Sequence, residues 1–152
     1  MIRDELKKQL IEAMKTKDDK KTATIRLINA AIKQKDIEAR PSGKTDGIDD
    51  AAILSLMQSM IKQRKESIDM YTKGGRNDLA AAEQSEIDII QSFLPKQMSE
   101  EEIRSAIALV ITETGASSIK DMGKVMGALR GKYAGQMDFG VASGLIKNAL
   151  DV

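Results

Sequence analysis

Apolar residues recur every three to four positions along most of the chain, which is the spacing of amphipathic helices. No stretch of alternating apolar and polar residues is long enough to predict a strand. The pattern breaks at Pro41, at Gly74-Gly75, at Pro95 and at Gly115, where helix-breaking residues occur. We therefore expect an all-α fold of seven helices, four before Pro95 and three after it.

Capping residues indicate where several of these helices begin. Ser99 with Glu102 three residues later forms a capping box, and Ser118 with Asp121 has the same spacing. The apolar positions expected to face inward include Met14, Leu27, Val141, Leu145, Ala149 and Leu150. The predicted helices cover about residues 2–17, 20–38, 50–72, 77–94, 100–114, 118–131 and 139–150.

Residues 95–98 are expected to separate two domains. Pro95 ends the fourth helix because the residue before a proline avoids helical geometry, and the capping box at Ser99 follows at once. The last three helices carry apolar stripes of their own. We therefore expect an N-terminal helical domain over residues 1–94 and a small three-helix domain over residues 95–152.

One cation falls inside an apolar face. Arg64 lies among the inward positions of the third helix, and Glu83 and Glu86 lie on the inward face of the fourth. A buried guanidinium without a partner is strongly destabilising. We therefore predict that Arg64 forms a partly buried structural ion pair with Glu86, Glu83 or both. The alternative is that its side chain extends to solvent.

Glycines occupy one face of the sixth helix. At about 100° per residue, with Lys120 at zero, Gly123, Gly127 and Gly131 fall near roughly 300°, 340° and 20°, opposite the apolar positions. Lys124 falls near roughly 40° and Arg130 near roughly 280°, so cations flank the glycines. Each glycine costs about 1 kcal/mol in a helix relative to alanine, so three on one face need a reason.

Three explanations of this face stay open. Small residues four apart let two helices approach closely, and a short glycine-rich helix can also fray. The third explanation is the close approach of an RNA backbone, with cations that contact its phosphates. The RNA-binding residues are then expected to be Lys120, Gly123, Lys124, Gly127, Arg130, Gly131 and Lys132.

Composition excludes several kinds of chemistry. The 152-residue chain has no cysteine and no histidine, which excludes zinc–thiolate sites, thiol nucleophiles and histidine-based triads. Acidic clusters sit at predicted helix starts, where the helix dipole explains them, so no metal site is expected. No phosphate-binding glycine loop occurs, so no cofactor is expected. The net charge is +1 and no apolar run could span a membrane. The first residues also lack the apolar run of a secretory signal, and we expect a cytoplasmic protein without a membrane partner.

Five segments resemble a known family. They are IRLINAAIK (25–33), MIKQRKESIDMY (60–71), GRNDLAAAEQSEI (75–87), FLPKQMSEEEI (93–103) and GASSIKDMGKVMGALRGK (115–132). Together they resemble the YqeY family, and the last part is similar to the tail domain of GatB, the subunit of the tRNA-dependent amidotransferase that engages tRNA. The resemblance implies a helical N-terminal domain and a three-helix C-terminal domain that contacts tRNA. It also implies carbon–nitrogen ligase activity with glutamine as amido-N-donor. One departure is Gln136, which stands where the family tends to have a lysine.

The combined expectation is an RNA-binding protein, for tRNA above all, that acts in trans in tRNA metabolism with tRNA or another structured RNA as its partner. One alternative is an accessory part of a glutamine-dependent carbon–nitrogen ligase, which works with an amidotransferase or another tRNA enzyme. Another is a helical protein–protein adaptor built on residues 1–94. No catalytic residue is named, because no nucleophile–base pair occurs in the sequence, so a stand-alone catalyst is not expected.

Overall fold

The computed structural model describes residues 1–150, in which seven α-helices and no strand occur. The expected all-α fold is confirmed. Short 3₁₀ turns at Arg40–Ser42 and Ile119–Asp121 precede α3 and α6. The helices are α1 (Ile2–Lys15), α2 (Asp19–Ala39), α3 (Asp50–Lys73), α4 (Asn77–Gln91), α5 (Glu100–Thr114), α6 (Met122–Tyr133) and α7 (Phe139–Leu150).

The chain divides into two compact units, Met1–Leu94 and Pro95–Val152. The N-terminal unit contains α1 to α4 and the C-terminal unit contains α5 to α7. Each unit has a hydrophobic core of its own. Among the described residues, none of the helices is both long and apolar enough to cross a bilayer.

The core of the N-terminal unit is built mainly from isoleucine and methionine. α3 and α4 form the most extensive helix pair, α2 packs on α4, and α1 packs on α2. Because the chain has few aromatic residues, branched isoleucine and flexible methionine side chains fill the space among the four helices. The buried residues are Leu6, Ile25, Ile28, Ile32, Ile53, Met57, Met60, Ile61, Ile87 and Ile90.

Asp36 fastens the loop between α2 and α3. Its carboxylate accepts two hydrogen bonds from the Arg3 guanidinium, at 2.9 and 2.8 Å, and a third from the Ile48 N–H at 2.8 Å. Arg3 also donates to the Ile48 carbonyl at 2.9 Å. These bonds hold the pKa of Asp36 below its usual value, the Arg3 hydrogen bond being the larger cause. Gly47 lies against this pair at φ +94, where a Cβ would meet both side chains.

Acidic residues at helix starts act as caps. Asp18 accepts a hydrogen bond from the Lys21 N–H, and Asp49 accepts one from the Ala52 N–H. Ser99 and Glu102 form the predicted capping box. These side chains therefore satisfy backbone donors that the helices leave unpaired.

The core of the C-terminal unit differs from the prediction along α7. Val141 and Ala149 are exposed, while Ala142 and Ile146 are buried in the same row as Leu150, which was predicted to face inward. The two rows are adjacent on the helix, and the row with Ile146 and Leu150 carries the larger apolar side chains. In the N-terminal unit Met14 and Leu27 also face outward, at the margins of their stripes. The buried residues of the C-terminal unit are Ile103, Ala106, Ile107, Val110, Val125, Leu129, Met137, Ala142, Ile146 and Leu150.

Candidate nucleic-acid interface

The three glycines of α6 form an open surface, here named the glycine face (Gly123, Gly127 and Gly131). Each is exposed, and apart from its chain neighbours and the nearby backbone of α6 no described atom lies within 4 Å of the position that a Cβ would take. On the opposite side of the same helix, Val125 and Leu129 are fully buried. The glycine face is therefore not packed against another helix among the described residues.

Lys124 and Lys120 lie beside the start of this face. Lys124 is exposed on α6, whereas Lys120 lies in the 3₁₀ turn before the helix. The position of Lys120 is therefore set by that turn, whereas the prediction placed it with the period of an α-helix. The turn is fixed by Asp121, whose carboxylate accepts hydrogen bonds from the N–H groups of Ser117 and Ser118 at 2.9 and 3.3 Å. These bonds lower the pKa of Asp121. Among the described residues, neither lysine forms an ion pair.

Arg130 borders the glycine face on the side of α7. Its guanidinium carbon lies 5.7 Å from the centre of the Phe139 ring, at the start of α7. Stacking on the ring restricts the side chain without using the N–H donors in the plane of the guanidinium. Arg130 is therefore an exposed cation whose position is restricted by α7.

Lys132 follows Gly131 in the last turn of α6 and lies on the side of that helix that faces α5. Its ammonium group donates to the carboxylate of Glu113. This contact raises the pKa of Lys132. α6 thus carries an arginine that contacts α7 and a lysine that contacts α5.

The segment after α6 is tied to the start of the C-terminal unit. Gln97 Nε2 donates to the Gly135 carbonyl at 2.6 Å, and the Met98 N–H donates to the Gln136 carbonyl at 2.8 Å. Gly135 has φ +78, in the left-handed region that favours glycine. Met137 follows and is buried at 1% exposure, which the helical pattern did not indicate because it lies in a loop. Gln136 supplies no cation here.

The structure brings Arg64 together with both acidic residues of α4. Arg64 Nε lies 2.7 Å from Glu86 Oε2 and 4.0 Å from Glu83 Oε2, and 15% of the arginine side chain is exposed. Arg64 also donates to the Met60 carbonyl at 3.1 Å. The guanidinium is therefore paired and partly buried between α3 and α4.

Two residues of functional interest lie outside the predicted set. Glu113 is one, and its sequence signal is an acidic residue in the last turn of a helix, where the dipole disfavours negative charge. Phe139 is the other. The sequence around it gives no comparable signal, because its contact with Arg130 depends on how α6 and α7 pack.

Several curated proteins are similar to this chain over part of their length. The protein named "Altered inheritance of mitochondria protein 41, mitochondrial" of Lachancea thermotolerans is 40% identical over 115 residues, which are 74% of this chain and 59% of that protein. The proteins of the same name from Eremothecium gossypii and Vanderwaltozyma polyspora are 40% and 42% identical over 89 residues, 59% of this chain and 46% of each relative. The chain therefore spans about half the length of the curated relatives it matches.

These relatives overturn the expectation of a cytoplasmic protein, because their names place them in mitochondria. That expectation used the absence of a membrane-spanning apolar run and of a secretory apolar run. Mitochondrial addresses are amphipathic and basic, so those two features cannot separate the cytoplasm from mitochondria.

The family comparison covers nearly the whole chain. The family model described as "Yqey-like protein" matches residues 3–150, which include both compact units and the whole glycine face. The chain therefore belongs to the YqeY family.

Proposed function

We propose that the C-terminal unit binds structured RNA, tRNA above all, and that the protein acts in trans in tRNA metabolism. The observation that carries the proposal is the open glycine face of α6 with cations on its borders. The similarity of residues 115–132 to the tail domain of GatB points to the same class of ligand.

The cost of the glycines supports this assignment. Each helical glycine costs about 1 kcal/mol relative to alanine. No described side chain packs into the space they leave, so no contact within the C-terminal unit offsets that cost. Close approach of an RNA backbone to α6 accounts for the glycines, since any side chain at these positions would hold the backbone away.

The distribution of charge favours an anionic ligand. Residues 119–133 contain Lys120, Lys124, Arg130 and Lys132 against the single acid Asp121, whose carboxylate is occupied by backbone donors. The acids Glu100 to Glu102 lie at the first turn of α5. Positive charge is thus concentrated around the glycine face, where it can contact three or four phosphates.

The test is binding of the full chain to purified tRNA over a range of salt. For three or four phosphate contacts, the plot of log K against log salt should have a slope of about −2 to −4. Gly127→Leu should weaken binding by about tenfold or more, the equivalent of about 1.4 kcal/mol. Gly144→Leu on α7 is the matched control, because Gly144 is also an exposed helical glycine with nothing within 4 Å.

Two results contradict the proposal. One is tRNA binding that does not depend on salt or does not occur. The other is equal affinity in Gly127→Leu, Gly144→Leu and the unmodified chain, with circular dichroism showing that all three are folded.

A further inference from the structure

Lys132, the cation that follows Gly131 in α6, forms an ion pair with Glu113 of α5. The lysine is in the last turn of α6 and the glutamate in the last turn of α5, and their side chains are 45% and 47% exposed. Of the four cations proposed to contact RNA, Lys132 is the one that forms an ion pair within residues 1–150. A phosphate that reaches Lys132 therefore has to compete with the Glu113 carboxylate for the same ammonium group.

Helix stability does not explain an acidic residue at position 113. The backbone carbonyls at the end of a helix carry partial negative charge, so a carboxylate there is unfavourable. α5 has no basic residue in its last turn to offset it, while its first turn holds three glutamates in the favourable position. Glu113 is therefore placed against the preference of its own helix and beside a cation of the candidate interface.

We propose that Glu113 is an internal competitor of RNA phosphate, which occupies Lys132 in the free protein and releases it when a phosphate binds. This inference rests on the proposed function and adds to it a residue that limits affinity. Exposed ion pairs are weak, so a phosphate can replace the carboxylate. Glu113 also repels an approaching backbone within the screening length of about 8 Å at physiological salt.

Three variants of the full chain test this competition in tRNA titrations between about 50 and 200 mM KCl. Glu113→Gln removes the competing charge. Glu101→Gln is the matched control, because it removes the same charge from an exposed position about 18 Å away along α5. The double variant Glu113→Gln/Lys132→Ala removes the competitor together with the cation that it occupies.

Glu113→Gln should bind tRNA about three- to tenfold more tightly than the unmodified chain. Its salt slope should change by less than about one unit, because Lys132 contacts a phosphate in both complexes. Glu101→Gln should change the affinity by less than about twofold. The double variant should lose the gain and bind no more tightly than the unmodified chain.

A gain in Glu113→Gln no larger than in Glu101→Gln overturns the inference, since the effect is then one of total charge. A gain that survives in the double variant also overturns it, because Lys132 is then not involved. In both cases the proposed function stands. If neither the unmodified chain nor Glu113→Gln binds tRNA, the proposed function fails and the inference fails with it.

Discussion

Arg64 donates from Nε to Oε2 of Glu86 at 2.7 Å, which joins α3 to α4 across the edge of the N-terminal core. The same guanidinium also donates to the Met60 carbonyl, so Arg64 both holds α4 against α3 and satisfies a backbone acceptor. Removal of a partly buried cation leaves Glu86 and Glu83 facing each other without compensation.

Arg64→Ala should therefore lower the free energy of unfolding of the N-terminal unit by about 2–3 kcal/mol. Lys65→Ala is the control, because it removes the same charge from an exposed neighbour and should stay within about 0.5 kcal/mol of the unmodified chain. Urea titration followed by circular dichroism measures both. Equal losses in the two variants would show that the ion pair does not stabilise the unit.

The glycine face should respond to alanine with higher stability. Gly127→Ala places a methyl group in open space on a regular helix, so the C-terminal unit should gain about 0.5–1 kcal/mol in thermal or urea unfolding. Gly115→Ala should have the opposite sign, because Gly115 ends α5 at φ +69, where a Cβ is strained. A loss of stability in Gly127→Ala would mean that the space above Gly127 is not open.

Lys124 should contribute one phosphate contact. Lys124→Ala should weaken tRNA binding and make the salt slope shallower by about one unit. Lys147→Ala on α7 removes the same charge from another exposed position of the C-terminal unit and should leave the slope nearly unchanged. The prediction is wrong if the two variants shift the slope equally.

Asp36 should make the N-terminal unit sensitive to acid. Its pKa is lowered in the folded state, so its contribution to stability is complete above the unfolded value near 4 and is lost as the pH falls through the folded value. Asp36→Asn should be less stable than the unmodified chain at pH 7, by about 1–2 kcal/mol. The difference should shrink as the pH falls below about 4 and through the folded pKa, where the unmodified carboxylate becomes protonated. Asp46→Asn, at an exposed loop position, is the control, and a difference that stays constant down to pH 2 contradicts the prediction.

Residues 95–152 should fold without the preceding residues. The segment after Pro95 contributes to this unit through Gln97 and Met98, which donate to Gly135 and Gln136. A fragment of residues 95–152 should therefore unfold cooperatively and be more stable than a fragment of residues 99–152, by about 1 kcal/mol for each lost hydrogen bond. Circular dichroism during heating measures both, and an unfolded longer fragment would contradict the predicted domain boundary.

Helices and most of the core follow from the sequence because they depend on residue period and on caps that act within four positions. Ser99 and Glu102 are three residues apart, so their capping box is visible in the sequence. The period is less informative where two adjacent rows are both apolar, as at Val141 and Ala142 on α7. Choice between such rows depends on the neighbouring helices.

The contacts around the candidate interface depend on distant positions. Lys132 meets Glu113 across 19 residues and Arg3 meets Asp36 across 33, and no local spacing predicts either pair. The helical wheel misplaces Lys120 for a different reason. α6 begins only at Met122, and Lys120 lies in the preceding 3₁₀ turn, which the Asp121 carboxylate fixes by accepting backbone hydrogen bonds. Local rules therefore locate the glycine face, while tertiary packing decides which of its cations is already engaged.

Each unit encloses one fully shielded thioether, Met57 in the first and Met137 in the second, at 0% and 1% exposure. Met70, at 74% exposure, lies open on the surface of α3. Peroxide converts accessible methionine to its sulfoxide, so Met70 should react in the native protein while the two core sulfurs react only after their own unit opens. The chain has no tryptophan to report unfolding by fluorescence. Mass spectrometry of Met57 and Met137 sulfoxides can therefore follow the opening of the two cores separately, in one sample of the intact chain.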